Sequence, residues 1–353
     1  MAEQVQPSIC ILRLSALGDC INAFGVANAL NSINKDLDIL WIIDSRFSSL
    51  FKDQWGHPLV NLYEVNLKKV GLLKAVLQLR KDLHNKHFDF LLNMQTSIKS
   101  SLLSTAIKAK YKYGYNDERS REGHRLFINR KIDMPSGPHV LDGFLSFAKS
   151  IGFNDIIPKW NFRLSFDELT AAKSLLNNFA ETKILSIAPG SAKVEKNWTV
   201  EGYSCIADYA QSKGFSIVLL GGNNKTELEL CQNIEKNIKN NCINLCGKTS
   251  LRTLAAILSL SKLVISPDSA SMHLASALNI PVIGLFAIHS PLRVGAYNFK
   301  DLQVSVYEQC AQLELNTSRI PWRYRVKDKN AMTKIQKDDV IKTLNYACKK
   351  YYL

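Results

Sequence analysis

One pattern dominates this chain and limits its possible folds: a short apolar run of strand length followed by an amphipathic stretch of helical length, in a series that runs and then restarts. Apolar runs lie at 9–14, 39–43, 59–65 and 88–94, separated by helical periodicity at 21–31, 72–85 and 98–108. The second series has runs at 184–188, 216–220, 243–246, 263–266 and 282–286, with helical stretches at 201–212, 226–237, 251–260 and 269–278. Strands alternating with crossover helices predict an α/β fold with parallel sheets. Two series predict two doubly wound domains facing each other across a cleft, with the C-terminal ends of their strands as candidate ligand positions. The segment 154–166 carries Pro158 and no clear period, and reads as the linker. The expected organisation is a first domain over 1–160, a second over 161–335, and a C-terminal helix over 336–353 packing back on the first.

A length of 353 residues fits two cores of ordinary size. No apolar run is long enough to cross a bilayer, and Met1-Ala2-Glu3-Gln4 lacks the basic start and apolar stretch of a secretion signal. A cytoplasmic location is therefore expected. The eight cysteines, Cys10, Cys20, Cys205, Cys231, Cys242, Cys246, Cys310 and Cys348, are scattered without a CxxC pair, as reduced thiols would be. The formal charge of +14 is concentrated around Lys108, Lys110, Lys112, Arg119, Arg121, Arg125, Arg130 and Lys131, against Asp117, Glu118 and Glu122. Such a segment is either a solvated basic face or a surface for a polyanion or an anionic membrane. Neither a zinc-finger spacing nor an aromatic RNA-binding strand occurs, so nucleic acid is not an expected partner.

The ends of the runs hold the candidate chemistry. The first leads into Ser15-Ala16-Leu17-Gly18-Asp19, where the glycine permits a tight turn and Asp19 opens a helix. Alone, Asp19 reads equally as a helix cap. No GxGxxG follows this strand, which disfavours a dinucleotide-binding dehydrogenase. The first strand of the second series leads into Ala188-Pro189-Gly190-Ser191-Ala192-Lys193-Val194-Glu195-Lys196-Asn197-Trp198. Lys193 and Lys196 are point-charge partners for a phosphate, or solvated loop lysines. No GxxxxGK[ST] loop is present. Ser266-Pro267-Asp268-Ser269-Ala270-Ser271-Met272-His273 places a carboxylate, small residues and a histidine at a helix opening, whose free N–H groups attract anions. Asp36-Leu37-Asp38 has the form of a metal-binding DxD but precedes a strand, and no metal is assigned.

Taken in order, Ile11 to Asp19, Ala188-Pro189-Gly190-Ser191 with Lys196-Asn197-Trp198, Leu220-Gly221-Gly222 with Glu227, and Pro267 to Ala275 resemble the motif set of glycosyltransferase family 9, the ADP-heptose:lipopolysaccharide heptosyltransferases. Phe88 to Gln95 with Lys99-Ser100, then Arg119 to Gly123 and Phe127 to Arg130, are similar to the heptosyltransferase I branch, which acts on the Kdo of the inner core. Two positions depart from the family: its Thr-Gly after the second-domain Asp is Ser269-Ala270, and a cysteine before the last helix is Ala331.

The resemblance implies a GT-B architecture of two Rossmann-like domains and inverting transfer with neither metal nor cofactor. It implies ADP-heptose as donor and lipid A-Kdo as acceptor, at the cytoplasmic face of an anionic inner membrane. Asp19 would be the base on the acceptor hydroxyl, and Lys196 would stabilise the leaving diphosphate. Ser191, Lys193, Glu227, Asp268, Ser269, Ala270, Ser271 and His273 would contact the donor, Glu227 through the ribose. Ser15, Gly18, Lys99, Arg119, Arg121 and Arg125 would contact the anionic acceptor. Without the motif, His273 reads as a satisfied core histidine and Glu227 as a first-turn helix residue. A sugar-nucleotide epimerase of the same architecture, a heptosyltransferase for another core sugar and a noncatalytic binding protein are the competing readings.

Overall fold

The computed structural model describes residues 7–34 and 37–353; Asp36 of the DxD and the N-terminal residues read above lie outside the described residues. The chain divides into two compact units, one ending at Arg163 and the other spanning Leu164–Leu353.

The first unit is built on β1 (Ile9–Leu12), β2 (Ile39–Asp44), β3 (Leu62–Val65), β4 (Phe88–Asn93), β5 (Ala109–Gly114) and β6 (Arg130–Lys131), in the order β3-β2-β1-β4-β5-β6. Every pairing is parallel. β1 and β2 are buried at each position, which is why they read as continuous apolar runs and not as alternations. β5 escaped the sequence reading for the opposite reason. Its Lys110, Tyr111, Lys112 and Tyr113 alternate on a half-covered strand near the sheet edge, so no continuous apolar run marks it.

The helix Leu17–Ile33 is buried along most of its length and carries almost no polar face, so it is matched to a crowded position by small residues. At Gly25 the indole of Trp160 lies where a Cβ would stand, 2.6 Å from the nearest ring atom. Trp160 Nε1 donates to Ile21 O at 2.7 Å, Lys159 N donates to Gly25 O at 2.8 Å and Asn28 Nδ2 donates to Lys159 O at 3.0 Å. The first part of the expected linker is therefore anchored to this helix. Its aperiodic sequence reflects extended chain laid on a helix. The end of that segment begins a helix, Phe166–Leu176, with a reciprocal cap from Ser165 and Glu168.

The second unit repeats the plan with β7 (Lys183–Ile187), β8 (Phe215–Leu219), β9 (Ile243–Asn244), β10 (Leu263–Pro267), β11 (Val282–Phe286) and β12 (Gln303–Ser305), ordered β12-β11-β10-β7-β8-β9. All pairings are again parallel. The C-terminal helix Lys337–Tyr351 is an integral part of this unit and not a separate segment. It packs on the helix Val200–Ser212, with Tyr209 OH donating to Asn345 Oδ1 at 2.9 Å, and Trp198 Nε1 donates to Ile335 O at 3.2 Å just before it. Among the described residues, no helix is long and apolar enough to cross a membrane.

One buried histidine makes the stability of the first unit pH-dependent. His124 accepts from Tyr115 N at 3.3 Å through Nε2, so Nδ1 carries the proton and faces Ser101 Oγ at 3.3 Å. Burial pushes its pKa down to about 4, and the ring is neutral in the folded chain. The unfolded chain binds that proton near pH 6.5, so stability falls as pH drops from about 6.5 towards 4, by roughly 3 kcal/mol in full. His124→Gln is expected to flatten this limb in thermal melts taken between pH 7 and pH 4.5; a limb of wild-type slope would assign the effect to other groups.

Candidate active site

In each sheet the strand order reverses beside the first strand of the unit, at β1/β4 and at β7/β10. Loops leaving the carboxyl ends of such strand pairs diverge and leave room for a ligand. The residues singled out at the strand ends fall in these loops.

In the first unit, Arg13 leaves the end of β1 and forms an ion pair with Asp19 Oδ2 through Nη2. Its Nη1 donates to Met94 O at 2.6 Å, just past β4, and its Cζ lies 5.4 Å from the centre of the Phe144 ring. A guanidinium fixed by a carbonyl, a ring and a carboxylate has little freedom, so it orients the Asp19 side chain. Asp19 stands in the first turn of Leu17–Ile33 and is 33% exposed. Its Oδ1 has no partner among the described residues, and the helix is capped by Ala16, which has no side-chain bond to offer. Asp19 therefore does not serve as the N-cap. Gln95 Oε1, after β4, accepts from Leu14 N at 2.8 Å and Ser15 N at 3.4 Å, tying the two loops together. Gly18 is buried, and Ser15 is half-buried beside this link.

In the second unit, Asp268 follows β10 and collects three segments. Lys196 Nζ, from the loop after β7, donates to Asp268 O at 2.6 Å and to its Oδ2 at 3.1 Å. His289 Nδ1, from the loop after β11, donates to the same Oδ2 at 2.7 Å. His273 Nε2 lies 4.0 Å from Oδ1. The Asp268 side chain is only 14% exposed. Burial works against ionising it, but the His289 hydrogen bond and the electrostatic pull of Lys196, His289 and His273 outweigh that, and hold its carboxyl well below the usual carboxylate range.

Around this cluster the hydroxyls of Ser269 and Ser191 are already engaged. Ser269 Oγ accepts from Met272 N at 3.4 Å as the cap of Ala270–Ala277, and bonds Ser266 Oγ at 2.7 Å. Ser191 Oγ donates to Lys193 O at 2.7 Å, which shapes the loop. The hydroxyl expected to meet a phosphate at 269 is thus a helix cap, and the anion-seeking groups left at this opening are the N–H groups of Ala270 and Ser271 and the third N–H of Lys196. Lys193 is exposed on the same loop. Glu227 Oε2 accepts from Gly222 N at 2.6 Å, and its side chain lies over Gly190, where a Cβ would be 2.5 Å from Cγ. Glu227 thereby joins the loops after β7 and β8.

The basic residues of the first unit separate into two kinds. Arg119 is buried: Nη2 donates to Gly137 O at 2.8 Å and Nη1 to His139 O at 3.3 Å, at the entry of the helix Val140–Ser150. The guanidinium expected at the acceptor is engaged by these backbone carbonyls. Arg125 is exposed and paired with Asp117 at 3.2 Å. Lys99 and Arg121 are exposed, and Glu122 Oε2 accepts from Ile98 N at 2.8 Å, holding the 121–123 turn against the start of Ile98–Ser104.

Sequence reading missed Arg13, Gln95 and His289. Each lies just beyond the carboxyl end of a parallel strand, so the rule that selected Asp19 and Asp268 was the available signal. Two parallel α/β units thus each carry a carboxylate–cation pair where the strand order reverses, the place where such sheets bind ligands. The model of glycosyltransferase family 9 (heptosyltransferase) matches residues 76–321. The lipopolysaccharide core heptosyltransferase OpsX of Haemophilus influenzae is 42% identical over 336 residues, 95% of each chain. The chain belongs to glycosyltransferase family 9. In fold it is similar to a family 9 glycosyltransferase of Veillonella parvula, with a TM-score of 0.77 at 19% identity over 98% of this chain and 97% of that one. It is also similar to the E. coli heptosyltransferase WaaC crystallised with ADP, with a TM-score of 0.70 at 18% identity, over 96% and 99%.

The Asp268 cluster is expected to stabilise the second unit. Asp268→Asn turns an amide N–H towards two donors and should cost about 1–3 kcal/mol, seen as a lower melting temperature at pH 7. In the wild type this contribution is intact above about pH 4 and lost as pH falls below it, because the folded carboxyl is held beneath its unfolded value. Superimposable melts of the two proteins at pH 7 would remove the cluster as a net stabiliser.

Proposed function

We propose that the protein transfers heptose from ADP-heptose to the Kdo of the lipopolysaccharide inner core, with inversion and without a metal ion. The observation that carries this reading is a one-third-exposed carboxylate, Asp19, held by Arg13 with one oxygen unengaged, in a chain of family 9. The OpsX relative is named as a lipopolysaccharide core heptosyltransferase, and the WaaC structure holds ADP, which supports the donor.

In this mechanism the acceptor hydroxyl attacks the anomeric carbon while the bond to the diphosphate breaks. Asp19 takes the hydroxyl proton, and ADP leaves. A single displacement inverts the configuration. Charge accumulates on the departing diphosphate, and Lys196 with the N–H groups of Ala270 and Ser271 supplies the positive field it needs. Asp268 and His289 keep the lysine in place, and Glu227 is the candidate for the ribose. Exposed Lys99 and Arg121 are the candidates for the carboxylates and phosphates of the acceptor, with Ser15, Gly18 and Arg125 nearby in the chain or fold. The charge of +14 fits a protein that works at the cytoplasmic face of an anionic membrane.

Asp19→Asn keeps the shape of the first turn but cannot take a proton, so kcat should fall by ~100- to 10,000-fold with little change in donor affinity. The assay is release of ADP from ADP-heptose with lipid A-Kdo supplied. Near wild-type turnover would end the assignment of Asp19 as base, and donor conversion without acceptor would favour the epimerase. For the acceptor side, Arg121→Lys should raise the acceptor KM and leave the donor KM unchanged, because a lysine cannot present a planar fork to a carboxylate. Equal, small changes in both constants would return Arg121 to the solvated face.

A further inference from the structure

The helix Leu72–Asp82 carries two apolar stripes. Ala75 and Leu79 are buried against the first sheet in the core that contains β1 and β4 side chains. Leu73 and Leu77 are each two residues from one of these, about 200° around the helix, and so lie on the opposite side. They are 74% and 55% exposed. A helix laid on a sheet needs only one such stripe.

Charge surrounds the second stripe. Lys74, Arg80 and Lys81 are exposed on the same helix, and the preceding turn Leu67–Val70 adds Lys68, Lys69 and an exposed Val70. The acid in this stretch, Asp82, is occupied by Tyr63 OH at 2.6 Å and Gln78 Nε2 at 2.7 Å. The neighbouring elements expose apolar side chains as well. Ile98–Ser104 packs beside this helix and exposes Ile98 and Leu102, and the turn His124–Phe127 packs beside that helix with Leu126 85% exposed. Large apolar side chains on adjacent elements, bordered by cations, are a different matter from scattered surface leucines.

We propose that this face of the first unit docks on an anionic lipid bilayer. Leu73, Leu77 and Leu126 enter the boundary between headgroups and acyl chains, while the lysines and arginines lie on acidic headgroups. The proposal rests on the reading of the protein as an enzyme of a membrane-bound acceptor, and it names the face that reading requires. Apolar residues flanked by cations fit an interfacial helix, for which apolar burial and attraction to acidic lipid add together. Lys99 follows the exposed Ile98 on the same helix, so docking would bring this acceptor candidate towards the lipid phosphates.

The test is co-sedimentation of the full chain with vesicles of phosphatidylcholine alone or mixed with phosphatidylglycerol, for the wild type, Leu73→Ser/Leu77→Ser and Lys74→Gln/Lys81→Gln. The wild type should bind the mixed vesicles and not the neutral ones. The leucine variant should bind about tenfold more weakly or worse, and the lysine variant should bind more weakly with a shallower salt dependence. Melting temperature and turnover on a detergent-solubilised acceptor should match the wild type, which separates docking from folding and catalysis. Leucine-variant binding at the wild-type level would overturn the assignment of this face while leaving the enzymatic reading intact. A wild type that ignores acidic vesicles overturns the docking, and loss of turnover on solubilised acceptor by the wild type itself would instead overturn the functional reading. Conversion of a wild-type dimer to a monomer by the leucine change, seen by sedimentation velocity, would make the face a self-association surface and overturn the proposal.

Discussion

The second unit depends on one buried carboxylate. Asp268 is surrounded by a lysine from the loop after β7, a histidine from the loop after β11 and a histidine from its own helix. Each of these loops is irregular backbone with no ladder of its own to fix it. A carboxylate in a low-dielectric setting requires partners, and the partners it recruits are the side chains of those loops. The site therefore keeps its shape through a desolvation demand at its centre. Lys196 is held ready by the same demand, with two of its three N–H groups committed and one left over.

The first unit reaches a related end by a different route. There the cation is the more buried partner, since Arg13 is anchored by Met94 O and the Phe144 ring, and Asp19 is the exposed one. The two pairs have opposite polarity. One unit presents a carboxylate supported by a fixed cation, and the other an ammonium supported by a fixed carboxylate. In the proposed mechanism the first is the proton acceptor and the second the anion stabiliser.

Much of this was legible in the sequence because parallel strands buried on both faces leave continuous apolar runs, and 39–43, 88–94 and 263–266 mark β2, β4 and β10 closely. The edges were harder. β5 alternates lysine with tyrosine, and β6 and β12 are too short to show a period. In the site, the helix opening after Asp268 could be read from small residues and a capping serine, which are local signals. Arg119 could not be placed, because its burial depends on Gly137, His139 and the close approach that Gly143 permits, all of them distant in sequence from it. His289 was hidden likewise: nothing near it in the chain reveals that Asp268 is 2.7 Å away.

Gly190 and Glu227 lie 37 residues apart in the chain, yet they occupy one volume. Whatever stands at 190 must leave room for the side chain that descends on it from the start of the helix Lys225–Asn237, so a methyl group added there displaces Glu227 and releases Gly222 N from its acceptor. The two positions are therefore sterically coupled. A larger residue at 190 fits only beside a smaller or displaced one at 227, whereas shortening 227 makes no demand on the glycine.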